Sequence, residues 1–183
     1  MTSRATLKII RSEHAALSAL MRSLVMMVRD AKRRNQTPDF RSMRAMLLYI
    51  DEFPERLHHV KETTMLFPRL RERTSLADEV LSRLDREHHA GGARIRDLAH
   101  ALTAWEFIGE ARREHFESAL AQYVEFYAAH MRTEETEILP LAEQYLLEAD
   151  WTVLDRAFGA HRDAFTGGEP EAPYAELFRT IVN

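Results

Sequence analysis

The stretch HHVKETTMLFP at residues 58–68 and the stretch HMRTEETEILP at residues 130–140 decide how this chain is read. Both spell His, three residues, Glu, five residues, Pro: His58, Glu62 and Pro68 in the first, His130, Glu134 and Pro140 in the second. A Glu-His pair stands upstream of each, Glu13-His14 before the first and Glu87-His88 before the second. His58 follows His14 by 44 positions, and His130 follows His88 by 42. Each half therefore offers two imidazoles and a carboxylate. Together the halves offer the donor set that a pair of iron ions takes.

The apolar periodicity around these stretches is helical. Leu7, Ile10, His14, Leu17, Met21, Leu24 and Val28 step by three or four residues, the stripe of an amphipathic helix. KRRNQTP (32–38) interrupts it, with Thr37 expected as N-cap and Pro38 at the first helical position. A second helix is expected from about Asp39 to Phe67, kinked at Pro54 and ended or bent at Pro68. After RERTS (71–75), with Ser75 as the expected cap, a third carries Val80, Leu81, Leu84, His88, Ile95, Leu98 and Leu102. A fourth starts near Gly109 and runs through Leu120, Tyr123, Phe126, Tyr127, His130 and Glu134 to a bend at Pro140. Beyond it, Asp150 is expected to cap a short amphipathic helix, and a Gly/Pro-rich loop (166–173) leads to a last helical piece around 174–182. Strand signals are weak throughout. The expectation is an all-α chain: residues 1–148 as an up-down-up-down four-helix bundle, residues 149–183 as a C-terminal helical extension packed on it, with one or two short helices.

A geometric check needs no coordinates. In an antiparallel helix pair, residues equidistant from the turn lie side by side. The midpoint of His14 and His58 is position 36, in the NQTP break. That of His58 and His88 is 73, in RERTS, and that of His88 and His130 is Gly109. All three fall on breaks chosen from unrelated signals. The four histidines should share one level of the bundle, roughly 22 Å from one end and 33 Å from the other at about 1.5 Å per residue.

Bulk properties narrow the remaining classes. The 183 residues suit one domain, with 45% hydrophobic and 30% charged residues, ordinary values for a soluble globular chain. The net charge of −4 and the lack of a separate Lys/Arg block argue against nucleic acid as a partner. With no cysteine, disulfides, thiolate metal sites and Cys nucleophiles are excluded. No signal-type apolar core or membrane-length apolar run is present, so the default expectation is a cytoplasmic protein without membrane partners.

Residues four apart on a helix share a face, so His58 projects with Glu62 and His130 with Glu134. His14 and His88 lie in apolar stripes and should face the core as well. Without a metal, two ionised glutamates in an apolar bundle would meet a steep desolvation cost. A single His-x3-Glu is usually a solvated surface pair worth a few tenths of a kcal/mol, about 0.2–0.5. Two matched copies, two further inward histidines and three coincident midpoints are much harder to place by accident.

The repeated EH…HxxxE-x5-P pattern resembles the hemerythrin-like HHE cation-binding proteins over essentially the whole chain, and the tail resembles bacterial members. The resemblance implies a four-helix bundle holding two non-haem iron ions, carboxylate- and oxo-bridged, with His14, His58, Glu62, His88, His130 and Glu134 as metal ligands. Two positions depart from the oxygen-carrying hemerythrins. Their second third-helix histidine corresponds here to Gly92. Their fourth-helix Asp, five residues after the ligand His, is replaced by a carboxylate four residues on, Glu134, with Glu135 beside it. Six ligands instead of seven is similar to the di-iron proteins implicated in repair of iron–sulfur centres and in nitric oxide chemistry. Gly91 and Gly92 are read either as close helix packing or as room for a diatomic ligand.

Other residues carry weaker expectations. His59 and His89 adjoin proposed ligands but point about 100° away on a regular α-helix, so outer-shell or surface roles are expected, with replacement of the neighbouring ligand as the alternative. Tyr127, one turn before His130, is read as core or as a hydrogen-bond donor to a bound oxygen species. Glu55-x-x-His58 has the ferritin-type spacing but no true second copy. Glu13 and Glu87, on faces different from those of the histidines, are expected to orient the following helices' contacts or to help charge balance. His100, His115 and His161 fall off the ligand level, and the methionines read as core filler. The functional expectation is a non-haem di-iron protein binding O2 or NO for sensing, carriage or scavenging. The alternatives are a di-iron enzyme or repair protein acting on damaged iron centres, NO or peroxide, and a metal-free helical interaction protein.

Overall fold

The computed structural model describes residues 4–160, 163–168 and 174–182, and every regular element among them is helical. Helix α1 spans Ala5–Arg34. Helix α2 is one rod over 40–73, in which α-helical stretches Phe40–Ile50, His59–Lys61 and Phe67–Arg73 alternate with π-helical stretches Asp51–His58 and Glu62–Leu66. Helix α3 spans Asp78–Ile108. Helix α4 is a second composite rod over 113–145, with Arg113–Thr133, the π-helical stretch Glu134–Ile138, and Leu139–Tyr145. Helices α5, Glu148–Ala160, and α6, Ala175–Val182, complete the described chain. None is long and apolar enough to cross a membrane.

The π-helical stretches explain the repeated Glu-x5-Pro spacing. A proline inside a helix has no N–H for the carbonyl four residues back, and its ring crowds that carbonyl. The backbone absorbs this by widening one turn. The Phe67 N–H bonds to the carbonyl of Glu62, and the Leu139 N–H to that of Glu134. Both wide turns begin at the motif glutamate and end just before the motif proline. The helices therefore continue through Pro68 and Pro140, to Arg73 and Tyr145, so neither rod ends at its proline, as the sequence had allowed at Pro68.

Several caps differ from expectation in the same local way. The N-cap of α2 is Asp39, not Thr37, and its carboxylate accepts the Ser42 N–H at 3.1 Å. Ser75 contributes a backbone carbonyl to the Asp78 N–H at 3.2 Å, not a side-chain cap. Helix α5 starts at Glu148, ahead of Asp150, whose carboxylate reaches back to the Leu147 N–H at 2.9 Å. Gly109, at φ 97°, makes the turn from α3 into the short 3-10 stretch Glu110–Arg112 that leads into α4.

Two apolar clusters flank one polar layer. Along α1, Leu7 and Ile10 belong to one cluster and Leu17 to Val28 to the other, with His14 between. Helix α2 visits them in the opposite order: Met43 to Ile50 first, then Leu66 to Leu70, with His58 and Glu62 between. Helix α3 reverses again, from Leu81 and Leu84 to Ile95 and Trp105 around His88. Helix α4 returns, from Phe116 and Tyr123 to Ile138 and Ala142 around His130 and Glu134.

The C-terminal segment packs on these rods. Trp151, Leu154 and Phe158 of α5 join the first cluster, and Asp155 accepts both the backbone N–H and the hydroxyl of Thr6 at 2.8 and 2.6 Å. Phe165 meets Tyr49 edge-on at 4.7 Å, and the Tyr49 hydroxyl donates to the buried carboxylate of Asp163.

Candidate metal centre

All six residues expected as ligands meet at one interior level. Their side chains are between 1% and 6% exposed, and they come from all four rods: His14 from α1, His58 and Glu62 from α2, His88 from α3, His130 and Glu134 from α4. The Nε2 atoms of His14 and His58 are 3.2 Å apart, and those of His88 and His130 are 3.0 Å apart. The glutamates lie across the gap between these two pairs. Glu134 places Oε2 3.2 Å from His14 Nε2, and Oε1 3.2 Å from His130 and 3.4 Å from His88. Glu62 places Oε1 3.3 Å from His58 and Oε2 3.5 Å from His88. Each carboxylate thus gives one oxygen to each histidine pair.

Despite these distances, none of the four carboxylate oxygens has a hydrogen-bond partner, although all are buried. Burying a carboxylate without hydrogen bonds is costly. A cation between the pairs would remove that cost, so the donor set fits a metal.

The outer nitrogens explain why the inner ones converge. The Nδ1 of His58 lies 2.6 Å from Glu13 of α1, and that of His88 lies 2.8 Å from Thr63 of α2. The Nδ1 of His130 lies 2.7 Å from Glu87 of α3, and that of His14 lies 2.9 Å from Glu135 of α4. Each rod holds the histidine of the next, and the ring closes from α4 to α1. A carboxylate only accepts, so Nδ1 of His14, His58 and His130 carries the proton, and each Nε2 is aimed inward.

The charges respond to this enclosure. Burial disfavours the charged imidazole of His130, but the carboxylates of Glu134 and Glu87 outweigh it and raise it to about 9. Burial is likewise outweighed at His14 by Glu134 and Glu135, and at His58 by Glu62 and Glu13. Glu134 is held well below the usual carboxylate range, against its burial, by His130, His14 and His88.

Three surroundings were missed or left open by the sequence. Glu13 and Glu87 orient the histidine of the following helix, and the repeated Glu-His pair was the signal that would have found them. Glu135 orients His14 and is no spare ligand. His59 is not on the surface: it is 3% exposed, its ring stacks on His88 at 4.4 Å and lies parallel to Tyr127 at 5.7 Å, and its Nδ1 is 3.2 Å from Glu55. Burial and the neighbouring imidazoles of His88 and His58 push His59 well below its usual range. Glu55 is itself buried, raised by that burial, and accepts from the hydroxyls of Tyr127 and Tyr123. Tyr127 is therefore engaged with Glu55. His89 is exposed and bonds the Asp85 carbonyl, while His161 lies outside the described residues.

The two glycines also separate. A Cβ on Gly91 would fall 2.9 Å from Glu55 Cδ and closer still to that carboxylate's Oε2 and the Tyr127 hydroxyl. A Cβ on Gly92 meets only the guanidinium end of Arg96, at 3.0 Å. Close packing is thus the reason for Gly91, and the space it leaves is filled by Glu55 and Tyr127.

Residues 5–142, well over half of the chain, match the family described as the hemerythrin HHE cation-binding domain. The chain belongs to the hemerythrin HHE cation-binding domain family. No curated protein matches it. Every histidine and glutamate of the interior cluster falls within the matched stretch, whereas α5 and α6 lie beyond it. Among the described residues, the buried group His14, His58, Glu62 and Glu134 and the group His59, His88 and His130 could each hold a metal ion.

Proposed function

We propose that this HHE-domain protein holds two non-haem iron ions and uses them to bind O2 or NO, for sensing, carriage or scavenging. His14 and His58 would hold one ion and His88 and His130 the other, with Glu62 and Glu134 bridging. The observation that carries the reading is the placement of the two glutamates, each with one unpartnered buried oxygen toward each histidine pair. Imidazole and carboxylate donors suit iron, and the alternating order in which the rods visit the two apolar clusters supports an up-down-up-down four-helix bundle over 1–148. On this reading residues 149–183 are an extension docked on the bundle.

Iron at these positions would supply redox-active sites with places for a diatomic ligand. The chain's own part is orientation and exclusion of water. The Nδ1 ring of hydrogen bonds fixes the imidazoles before any ion arrives, which limits the reorganisation that binding demands. The apolar clusters above and below keep bulk water from the layer. A small cleft lined by Leu17, Phe53, Leu57 and Met131 together with Glu13, Lys61 and Asp163 borders His14 and His58.

Anaerobic iron loading with metal quantitation, followed by absorption spectra on adding O2 and then NO, tests the proposal. About two irons per chain and new bands with either gas are expected. A chain that retains no iron, or binds two ions and ignores both gases, contradicts it. Recovery of intact O2 on degassing separates a carrier from an enzyme that consumes it.

A further inference from the structure

Resting on the two-ion reading above, we infer that Thr63 makes the two metal positions unequal. It is a positioning residue that leaves the ion at His88 and His130 the more weakly held of the pair and the first to exchange. The two motif copies use the residue after the motif glutamate in the same way. Glu135, after Glu134, meets Nδ1 of His14 at 2.9 Å, and Thr63, after Glu62, meets Nδ1 of His88 at 2.8 Å. The residues before His14 and His88 are matched as well, Glu13 on Nδ1 of His58 and Glu87 on Nδ1 of His130. Four equivalent places thus hold three carboxylates and one hydroxyl.

The odd partner matters because of what each group does to an imidazole. A carboxylate only accepts, so it keeps the hydrogen on Nδ1 and strengthens Nε2 as a donor to metal. A hydroxyl is neutral and either donates or accepts. It neither fixes the tautomer of His88 nor enriches its Nε2. In the other tautomer the Nε2 hydrogen points into the site, and that ring has nothing to give an ion. His88 also stands farthest from the glutamates, 3.4 Å from Glu134 and 3.5 Å from Glu62, where His14, His58 and His130 stand at 3.2–3.3 Å. A cleft of about 160 Å³ between α2 and α3 is lined by Thr63 and His88 and gives an ion a way past them. His14 borders a cleft too, but its Nδ1 faces Glu135.

The test loads the full chain with Fe(II) anaerobically and follows release of each ion to a chromophoric chelator. The wild type should release its ions in two steps separated by about 10-fold or more, the worth of one outer partner. Crystals given a single equivalent of iron and measured at the iron edge should show it beside His14 and His58. Thr63→Val, nearly isosteric, should weaken the weaker step alone by about 10-fold, and Thr63→Ser should behave as wild type. Thr63→Glu, for which the cleft leaves room, should bring the two steps together. If the wild type takes no iron, the two-ion reading falls and this inference with it. If it holds two ions but releases them in one step, this inference falls alone. A first iron beside His88 and His130, or T63V that matches wild type or weakens both steps equally, also overturns it and leaves Thr63 a packing residue. Should T63V fail to fold, T63E decides: steps that stay apart, or loss of both ions, overturn the inference.

Discussion

The two copies of the motif share a backbone but not their surroundings. In both, a wide turn opens at the glutamate and closes before the proline, so Glu62 and Glu134 enter the centre in equivalent ways. The residue after the motif histidine differs: His59 in the first copy, buried against the centre, and Met131 in the second, packed in the apolar cluster. The first copy also follows a further π-helical stretch around Pro54, which brings Glu55 inside. Proline spacing thus fixes how the carboxylates are presented, while neighbouring residues decide what each side can hold.

The largest expected effect is one in which the copies behave alike. Under anaerobic Fe(II) at about a thousandfold over its dissociation constant, binding should stabilise the wild type by about 4 kcal/mol for each ion held, read as a rise in melting temperature. Glu62→Ala and Glu134→Ala should each abolish that rise. A loss confined to one of them would break the equivalence of the two copies.

Next come the orienting groups. Glu13→Ala should weaken iron binding by about 10–100-fold, measured by chelator competition. Glu135→Ala should do less, because its side chain is 39% exposed and water can replace it, whereas Glu13 is 8% exposed. Equal effects would mean that burial of the acceptor does not matter.

The neighbouring glycines sharpen the contrast on the α3 side. Gly91→Ala forces a Cβ into Glu55 and Tyr127 and should cost about 1–3 kcal/mol as overpacking. Gly92→Ala displaces only the flexible end of Arg96 and should stabilise α3 by up to about 1 kcal/mol. Chemical denaturation of the metal-free variants measures both.

The smallest effect lies outside both copies. Burial raises the Asp163 carboxyl from 3.8 to about 6. An acid raised in the folded state costs nothing below its ordinary value, and the penalty grows as pH rises from 3.8 through about 6 and is constant above. Asp163→Asn should therefore gain stability relative to wild type as pH rises across that window in thermal melts. A difference independent of pH would show that Asp163 is not titrating there.

Much of this was legible in the sequence because it follows from spacing. The helical stripes placed the breaks, the midpoints placed the histidines at one level, and His-x3-Glu placed donors on one face. Part of what stayed hidden arises where the helix is not regular. Pro68 read as a possible end, but a widened turn ahead of it lets the rod continue, as it does ahead of Pro140. His59 read as rotated away from His58, and it is: its ring meets His88 and His130 while that of His58 meets His14, but the interior reaches far enough around α2 to bury both. Glu13 and Glu87 were expected to orient contacts of the following helices, but single-helix periodicity carries no information across rods and so could not name His58 and His130 as their partners.

The central claim is most directly tested by crystals of the iron-loaded protein measured at the iron absorption edge. Two anomalous peaks are predicted within the polar layer, one beside His14 and His58 and one beside His88 and His130, with Glu62 and Glu134 spanning them. Peaks elsewhere, a single peak, or an apo-like layer with iron absent would contradict the account.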